Sequence, residues 1–283
     1  MSIFADETVK SGMERTSSIA IWIGEKPPRG KYTFTHDDVV KAFPDMTPGA
    51  IARALTREVS KGRIMSPLRG FYVIVPDEYV LRGTVPQPFY LDDMMRNLGR
   101  NYYVALLSAA SYHGASHQMP MSFSVMIEPP SMRNKRGEKY HTLFFCKNRI
   151  PSEYVERRQT KTGFLNISSP ELTAVDLITF QHRSGSITRA ATVLAELVEK
   201  MDFAKLDQGF LSVVPVSSLQ RLGYILEVVL EEQEAADAVY GLLEKGSVKL
   251  QPVALKIGKK TDGCERNSRW KVIINEAIEI DEL

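Results

Sequence analysis

The chain has 283 residues, of which 43% are hydrophobic and 25% charged, an ordinary composition for a globular protein with room for one or two domains. Its net charge of +2 excludes a general polycation, so attraction to nucleic acid would require local clustering of basic residues. No apolar run approaches the ~20 residues of a membrane span, and the N-terminus lacks the pattern of a signal peptide.

Cysteine usage points to a reducing compartment. The two cysteines, Cys146 and Cys264, are far apart and lie in no CxxC motif or Cys/His cluster. We predict that both are reduced thiols in a cytoplasmic protein and that the chain contacts no membrane.

Helix signals dominate the segment that ends at Gly62. Residues 1 to about 24 predict an initial helix. A short helix is predicted between Thr35, which can cap its start, and Pro44, which ends it. A longer helix is predicted from Thr47 as its cap to Gly62 as its C-terminal stop, with proline at its first position.

The longer helix has an apolar face and a basic face. On a helical wheel the apolar stripe consists of Ile51, Ala54, Leu55 and Val59. Glu58 falls near the edge of that stripe. The opposite side collects Arg53, Thr56, Arg57, Ser60 and Lys61. Two short strands around the turn SPLRG follow at once, which predicts a hairpin with Arg69 at its tip.

Helix, turn, basic helix and hairpin in this order are typical of a winged helix-turn-helix. Five basic residues and one acidic residue lie between Thr47 and Gly70, so this stretch carries more net positive charge than the whole chain. A basic helix fits the major groove, and a hairpin can place an arginine beside the neighbouring backbone. We therefore predict binding to double-stranded DNA. A solvated charged face, or a winged helix that contacts only proteins, is the alternative.

The predicted DNA-binding residues divide by the contact expected of each. Arg53 and Thr47 are placed at the groove floor or its edge, because an arginine fork can engage guanine through two hydrogen bonds. The other basic residues are expected to contact phosphates. The full predicted set is Thr47, Arg53, Thr56, Arg57, Ser60, Lys61, Arg63 and Arg69.

A second domain is predicted after a proline-rich linker near residues 80–90. Strands are expected in FSVMIE, HTLFFC and GFLNIS. Helices are expected in YYVALLSAASYHGA, where Tyr103 shares a helical spacing with later apolar residues, and in SSPELTAVDLITF, TRAATVLAELVEKM, VSSLQRLGYILEVVL and EAADAVYGLLEKG. The predicted fold class is α+β, with a winged helix-turn-helix domain over 1–85 and a larger mixed α/β domain over 86–283.

A second cluster of basic residues lies between Arg133 and Lys161, a stretch that contains nine basic and three acidic residues. A solvated loop surface is one interpretation. A surface for an anionic partner is the other, and DNA, RNA and an acidic protein all remain open as that partner. The candidate residues are Arg133, Lys135, Arg136, Lys139, Arg157 and Arg158.

The sequence carries no motif that supports catalysis, a cofactor or a metal site. It lacks the GxxxxGK[ST] loop that binds phosphates and the GxGxxG motif that binds dinucleotides. It also lacks the HExxH motif of zinc proteases and the GxSxG motif of serine hydrolases. His113 and His117 are four residues apart but have no third ligand nearby. The Gly-Ser pairs at 185–186 and 246–247 are not followed by the paired carboxylates of a nucleotidyltransferase. We predict a protein that is not an enzyme.

Several segments resemble the AbiEi-type antitoxins of bacterial type IV toxin–antitoxin systems. The stretch AIARALTREVSKGRIMSPLRGFYVIV is similar to the winged helix of these proteins. The likeness continues in YYVALLSAASYHGA, SSPELTAVDLI, SLQRLGYILE and NSRWKVIIN, so it touches both predicted domains.

This resemblance implies two functions. The winged helix would repress its own operon by binding inverted repeats in promoter DNA. The C-terminal domain would neutralise the cognate toxin, a nucleotidyltransferase that blocks growth during phage defence, without forming a stable complex. The recognition helix and wing correspond to Arg53, Arg57, Lys61 and Arg69. A basic antitoxic surface would correspond to Arg133, Arg136, Lys139, Arg157 and Arg158.

Two other functions are compatible with the same residues. The chain could be a winged-helix transcription regulator whose C-terminal domain senses a ligand or dimerises. It could also be an enzyme, such as a nuclease, that is directed to DNA by its winged helix.

Overall fold

A computed structural model describes residues 18–115, 120–133 and 141–280. The chain divides into two compact units, one ending at Pro86 and the other beginning at Gln87. Most of the predicted initial helix lies outside the described residues. Its last part is a helix, α1 (Ile19–Gly24).

The described part of the first unit is a small helical layer on a three-stranded antiparallel sheet. After α1 the elements are β1 (Thr33–Thr35), α2 (His36–Ala42), α3 (Pro48–Ser60), β2 (Ile64–Leu68) and β3 (Phe71–Ile74). The strand order is β1-β3-β2. The two predicted helices are confirmed.

Local capping explains where these helices begin. Thr35 and Asp38 form a reciprocal capping box at the start of α2. Thr47 caps α3 by accepting a hydrogen bond from the backbone nitrogen of Ala50, at 3.3 Å, and Pro48 occupies the first helical position.

The hairpin is tighter than the sequence predicted. The expected turn SPLRG is reduced to Arg69–Gly70, because β2 continues through Pro67 to Leu68 with a bulge. A proline is tolerated there because β2 is an edge strand and needs no donor on its outer side. The Ser66 hydroxyl reinforces the bulge by donating towards the carbonyl oxygens of Leu68, at 2.8 Å, and Phe71, at 3.1 Å.

The apolar stripe of α3 packs into the core of the first unit. Ile51, Ala54 and Leu55 are buried there against residues of α1 and the sheet. The prediction that Val59 completes this stripe is wrong, because Val59 is 38% exposed. In the last turn of α3 it is Glu58 that faces inward instead, since two cations just beyond the helix hold its carboxylate.

The second unit is a mixed α/β structure, as expected. Its sheet-forming part contains α4 (Leu91–Asn97), β4 (Tyr102–Val104), α5 (Leu106–Tyr112), β5 (Phe123–Ile127), β6 (Thr142–Cys146), β7 (Val155–Gln159) and β8 (Phe164–Ser168). Its helical part contains α6 (Pro170–Thr179), α7 (Ile187–Leu197), α8 (Gln208–Val213), α9 (Val216–Tyr224) and α10 (Gln233–Lys245), followed by the short parallel pair β9 (Val253–Ala254) and β10 (Val272–Ile273).

Three sequence predictions for this unit need correction. Tyr103 belongs to β4 and not to the following helix, because β4 is the buried centre of a mixed sheet with the order β6-β5-β4-β8-β7. Strand β7 was not predicted, since its residues VERRQ lack the apolar alternation of a strand. The helix expected through VSSLQRLGYILEVVL changes after α9 into one π-helical turn over Ile225–Val229.

Helices α6, α7, α9 and α10 share one large core with the inner face of the sheet. Trp270 is fully buried in it and lies directly against α9 at Gly223. A Cβ built on Gly223 would lie 2.1 Å from the indole ring, far inside van der Waals contact. The glycine is therefore required for α9 and Trp270 to approach this closely.

Replacing Gly223 with alanine should destabilise the protein by about 3 kcal/mol or more, because the new methyl group forces Trp270 out of place. The matched control is Gly241→Ala in α10, where a new Cβ meets no atom within 4 Å. That change should be neutral or stabilise by up to about 1 kcal/mol. Urea unfolding of the two variants measures both effects, and equal stabilities would contradict the close packing.

Candidate nucleic-acid interface

The outward face of α3 presents the residues that the helical wheel assigned to it. Arg53, Thr56, Arg57 and Ser60 are exposed, as is the capping residue Thr47. Because the opposite stripe is buried, the helix cannot turn these side chains inward without opening the core. The first unit therefore displays a fixed polar and basic ridge along α3.

The hydroxyl groups on this ridge differ in whether they can still donate or accept a hydrogen bond from a ligand. The Thr56 hydroxyl donates to the carbonyl of Ala52 at 2.8 Å, and the Ser60 hydroxyl donates to the carbonyl of Thr56 at 3.0 Å. Their oxygens retain accepting capacity only. Thr47 is the reverse, because its oxygen accepts the capping bond and its hydrogen remains available to donate.

Two of the predicted phosphate contacts are engaged within the protein. The Glu58 side chain is only 4% exposed and is paired with Arg63 at 3.1 Å and Lys61 at 3.6 Å. The cations themselves remain about half exposed: 59% of the Arg63 side chain and 48% of the Lys61 side chain are accessible. Lys61 and Arg63 thus neutralise a buried carboxylate, whereas no ion pair involves Arg53, Arg57 or Arg69 within the described residues.

The hairpin tip lies against the start of α2. Arg69 is exposed at the turn, and Gly70 adopts a left-handed φ of 77° that its lack of a side chain permits. The backbone nitrogen of His36 donates to the carbonyl oxygen of Gly70 at 2.8 Å. This bond fixes the tip, so the position of Arg69 is set by the fold of the unit.

A further basic group of the first unit escaped the sequence analysis. The ammonium of Lys26 lies 3.8 Å from the centre of the Trp22 ring, which packs edge-on against Phe34 and Phe43. Burial against these rings lowers the pKa of Lys26. A lone lysine after a short helix gives no sequence signal for such a contact.

The predicted basic surface of the second unit does not form one continuous face in the described residues. Lys135, Arg136 and Lys139 lie outside those residues, and Arg133 is exposed. The neighbours Arg157 and Arg158 occupy successive positions of β7, so their side chains leave opposite faces of the sheet.

Arg157 and Arg158 accordingly have different surroundings. Arg157 is exposed and stacks its guanidinium 4.1 Å above the ring of Phe164. Arg158 is half-buried, pairs with Glu156 at 3.0 Å, and donates to the carbonyl of Tyr112, at 2.5 Å, and to Nδ1 of His113, at 2.9 Å. It thereby satisfies the C-terminal end of α5, which makes its role structural.

His113 is part of the same internal arrangement. Its Nε2 lies 2.8 Å from the carbonyl of Ser168, which requires the proton on that nitrogen when Nδ1 accepts from Arg158. Burial lowers the pKa of His113 and favours this neutral form. Within the described residues no group of three or more His, Cys, Asp or Glu side chains could hold a metal ion. His117 lies outside them.

A buried polar network links three segments of the second unit. The hydroxyl of Tyr103 donates to the Asp176 carboxylate at 2.6 Å, and the ammonium of Lys147 donates to its other oxygen at 3.0 Å. Asp176 is fully buried, and burial raises its pKa as well as that of Tyr103. Lys147 supplies the only cation seen beside Asp176 in the described chain.

Replacing Lys147 with methionine should destabilise the protein by about 3 kcal/mol, because Asp176 would be left buried without a cation. The double change Lys147→Met with Asp176→Asn should recover part of that loss, since no charge then remains buried. Urea unfolding of wild type, both single variants and the double variant gives the coupling energy. If the free energy of unfolding of Lys147→Met lay within about 0.5 kcal/mol of the wild-type value, the network's role would be contradicted.

None of the described helices is long and apolar enough to cross a membrane. Both cysteines are free thiols, with Cys146 exposed at the end of β6 and Cys264 half-buried.

Comparison with known proteins shows that part of the second unit is similar to an antitoxin domain. Residues 103–228, which span the sheet, α6, α7 and α9, match the family model of the AbiEi antitoxin C-terminal domain. The predicted resemblance to AbiEi-type antitoxins is thereby confirmed, and the match supports an antitoxin role in a toxin–antitoxin system.

A solved structure shares the fold of this protein over most of the chain. The chain is similar to the crystal structure of the RV2827C protein from Mycobacterium tuberculosis, with 18% sequence identity and a TM-score of 0.62 over 89% of each chain. Similarity at this level of identity shows a shared fold. A search of curated proteins gave no significant match.

Proposed function

We propose that this protein is an antitoxin that neutralises a nucleotidyltransferase toxin and represses its own operon by binding promoter DNA. The observation that carries the antitoxin part is the AbiEi domain at residues 103–228. In this proposal residues 1–85 form a winged helix-turn-helix domain and residues 86–283 form the antitoxin domain. The protein acts in the cytoplasm, on inverted repeats, and without catalysis of its own.

The geometry of the first unit supports the DNA-binding part. The order α1, β1, α2, α3, β2 and β3, with a three-stranded antiparallel sheet, is compatible with a winged helix-turn-helix. In such a fold α3 is the recognition helix, and the Arg69–Gly70 turn is the wing. The exposed ridge of α3 and the fixed tip supply cations where a duplex would present phosphates.

The ion pairs refine which residues bind DNA. Arg53, Arg57 and Arg69 are the principal contacts in this proposal, because their charges are not already neutralised by a described carboxylate. Arg53 lies near the start of α3, where a Cβ on Gly49 would be 3.7 Å from its Nη1. This position places its guanidinium beside the first turn of α3, which Thr47 caps, so the two residues can contact the same segment of a groove.

Replacing Arg57 with glutamine should weaken binding to every DNA sequence and reduce the slope of log K against log salt by about one unit, because one phosphate contact is lost. Fluorescence anisotropy with the protein's own promoter fragment and an unrelated duplex, at several salt concentrations, measures both effects. An unchanged slope would contradict the phosphate contact.

Arg63→Gln is the matched control, since it removes the same charge from a residue that is paired with Glu58. It should leave the salt slope nearly unchanged and lower the free energy of unfolding by about 1–2 kcal/mol, because the buried carboxylate loses its nearest partner. If Arg57→Gln and Arg63→Gln reduced the slope of log K against log salt equally, Arg63 would contact phosphates despite its ion pair with Glu58.

Co-expression with the product of the adjacent gene, which this proposal expects to be a nucleotidyltransferase toxin, tests the antitoxin part. The chain, expressed from an independent promoter, should relieve the growth arrest caused by that enzyme. The Arg53→Gln, Arg57→Gln double variant should relieve it equally, because its antitoxin domain is intact. Persistent arrest with the wild-type chain would refute neutralisation, and loss of relief only in the double variant would tie neutralisation to DNA binding.

A further inference from the structure

A cavity of about 560 Å³ opens in the second unit between α5, the start of β5 and the loop that joins α6 to α7. One wall is apolar and includes Leu106, Leu107 and Leu143. The lining also includes two arginines, Arg183 and Arg189. The volume is in the range of sites for small organic ligands.

The charge of this cavity is of one sign. No acidic side chain lines it in the described chain, and neither Arg183 nor Arg189 forms an ion pair there. The sequence explains this, because no Asp or Glu occurs between Asp176 and Glu196. Two exposed guanidinium groups beside an apolar wall are suited to a ligand that combines an anionic group with an organic body.

The loop between α6 and α7 is shaped to bring these groups together. Gly185 has a φ of 101°, which turns the chain so that Ser186 caps α7. A Cβ on Gly185 would lie 3.5 Å from Cγ of Arg189, so the arginine folds back over the turn towards the cavity. The Gly-Ser pair at 185–186 is not followed by the paired carboxylates of a nucleotidyltransferase. Its glycine instead lines this cavity.

Polar residues also line the cavity. Ser122, Ser124 and Ser184 are among them, and the Ser184 hydroxyl is held within the fold by donating to the carbonyl oxygen of Phe180 at 3.3 Å. At the wall, Leu106 has a left-handed φ of 54°, which redirects the chain from β4 into α5 and sets Leu106 and Leu107 beside the opening. The cavity lies near the start of α7, where the helix dipole favours an anion, although the backbone nitrogen of Arg189 already donates to the Ser186 cap at 3.1 Å.

We propose that this cavity binds a small organic phosphate of mononucleotide size. The phosphate lies between Arg183 and Arg189 at the start of α7, and the organic body lies against Leu106, Leu107 and Leu143. Phosphate is favoured over a single carboxylate because two guanidinium groups can each form paired hydrogen bonds with its oxygens. The site is independent of the ridge on α3 and of the proposed DNA contacts.

Isothermal titration calorimetry with the full chain tests this site. The probes are AMP and CMP, inorganic phosphate as the anion alone, and adenosine as a body without the anion. A mononucleotide should bind at least tenfold more tightly than either phosphate or adenosine. Arg183→Gln and Arg189→Gln should each weaken its binding about tenfold, because each removes one charged contact.

Arg149→Gln is the control, since Arg149 is an exposed arginine of the same unit that does not line the cavity. It should change the mononucleotide affinity less than twofold. Melting temperatures within 2 °C of wild type would show that the cavity variants are folded, as expected for exposed side chains. The proposal is overturned if neither mononucleotide binds below millimolar concentration, or if both cavity variants bind as wild type does.

Discussion

The buried carboxylate of Glu58 determines how the positive charge of the first unit is used. A charged group inside a small core is stable only beside a counter-charge, and here Lys61 and Arg63 provide it from the residues that follow α3. The same pairing ties the last turn of α3 to the start of β2. Helix and hairpin are thereby held in one arrangement, and Arg53, Arg57 and Arg69, which form no ion pair within the described residues, lie on the outside.

The second unit contains a comparable constraint in its centre. Asp176 on α6 is held by Tyr103 from the central strand and by Lys147 from the end of β6. These contacts join the helical layer to two strands of the sheet through the Asp176 carboxylate, whose side chain is 1% exposed. A network of this kind specifies the register between layers more strictly than apolar packing does, because a small shift leaves a charge unsatisfied. The second unit is thus organised around a polar centre.

Sequence reasoning predicted the elements with strong local signals. The caps at Thr35 and Thr47 fixed the starts of α2 and α3, and the wheel of α3 separated buried from exposed residues except at its last turn. It did not predict β7, whose polar residues form a strand only because β8 offers an edge to pair with. It also placed Tyr103 in a helix, since buried apolar residues in a short run satisfy either period.

The candidate sites show the same division between local and tertiary information. Exposure of Arg53 and Arg57 follows from the pattern of one helix and was predictable. The contacts of Arg158 with the end of α5 depend on where that helix ends in space, which nearby residues do not encode. The pairing of Arg63 has a local signal in the position of Glu58 at the edge of the apolar stripe, but the wheel alone does not show that the carboxylate is buried. Counting basic residues therefore overestimates a binding surface, because some of them compensate charges or carbonyls inside the fold.

The two-residue connection between β2 and β3 has a consequence for how this protein could evolve. Since one of those residues is a glycine, the tip offers a single side chain, that of Arg69, so the turn presents one guanidinium group rather than an extended surface. Residues added within the turn would lie beyond the last paired positions, Leu68 and Phe71, and would enlarge the reach of the hairpin without entering the core. A change in the length of this turn therefore alters the surface that the hairpin presents and leaves the scaffold below it unchanged.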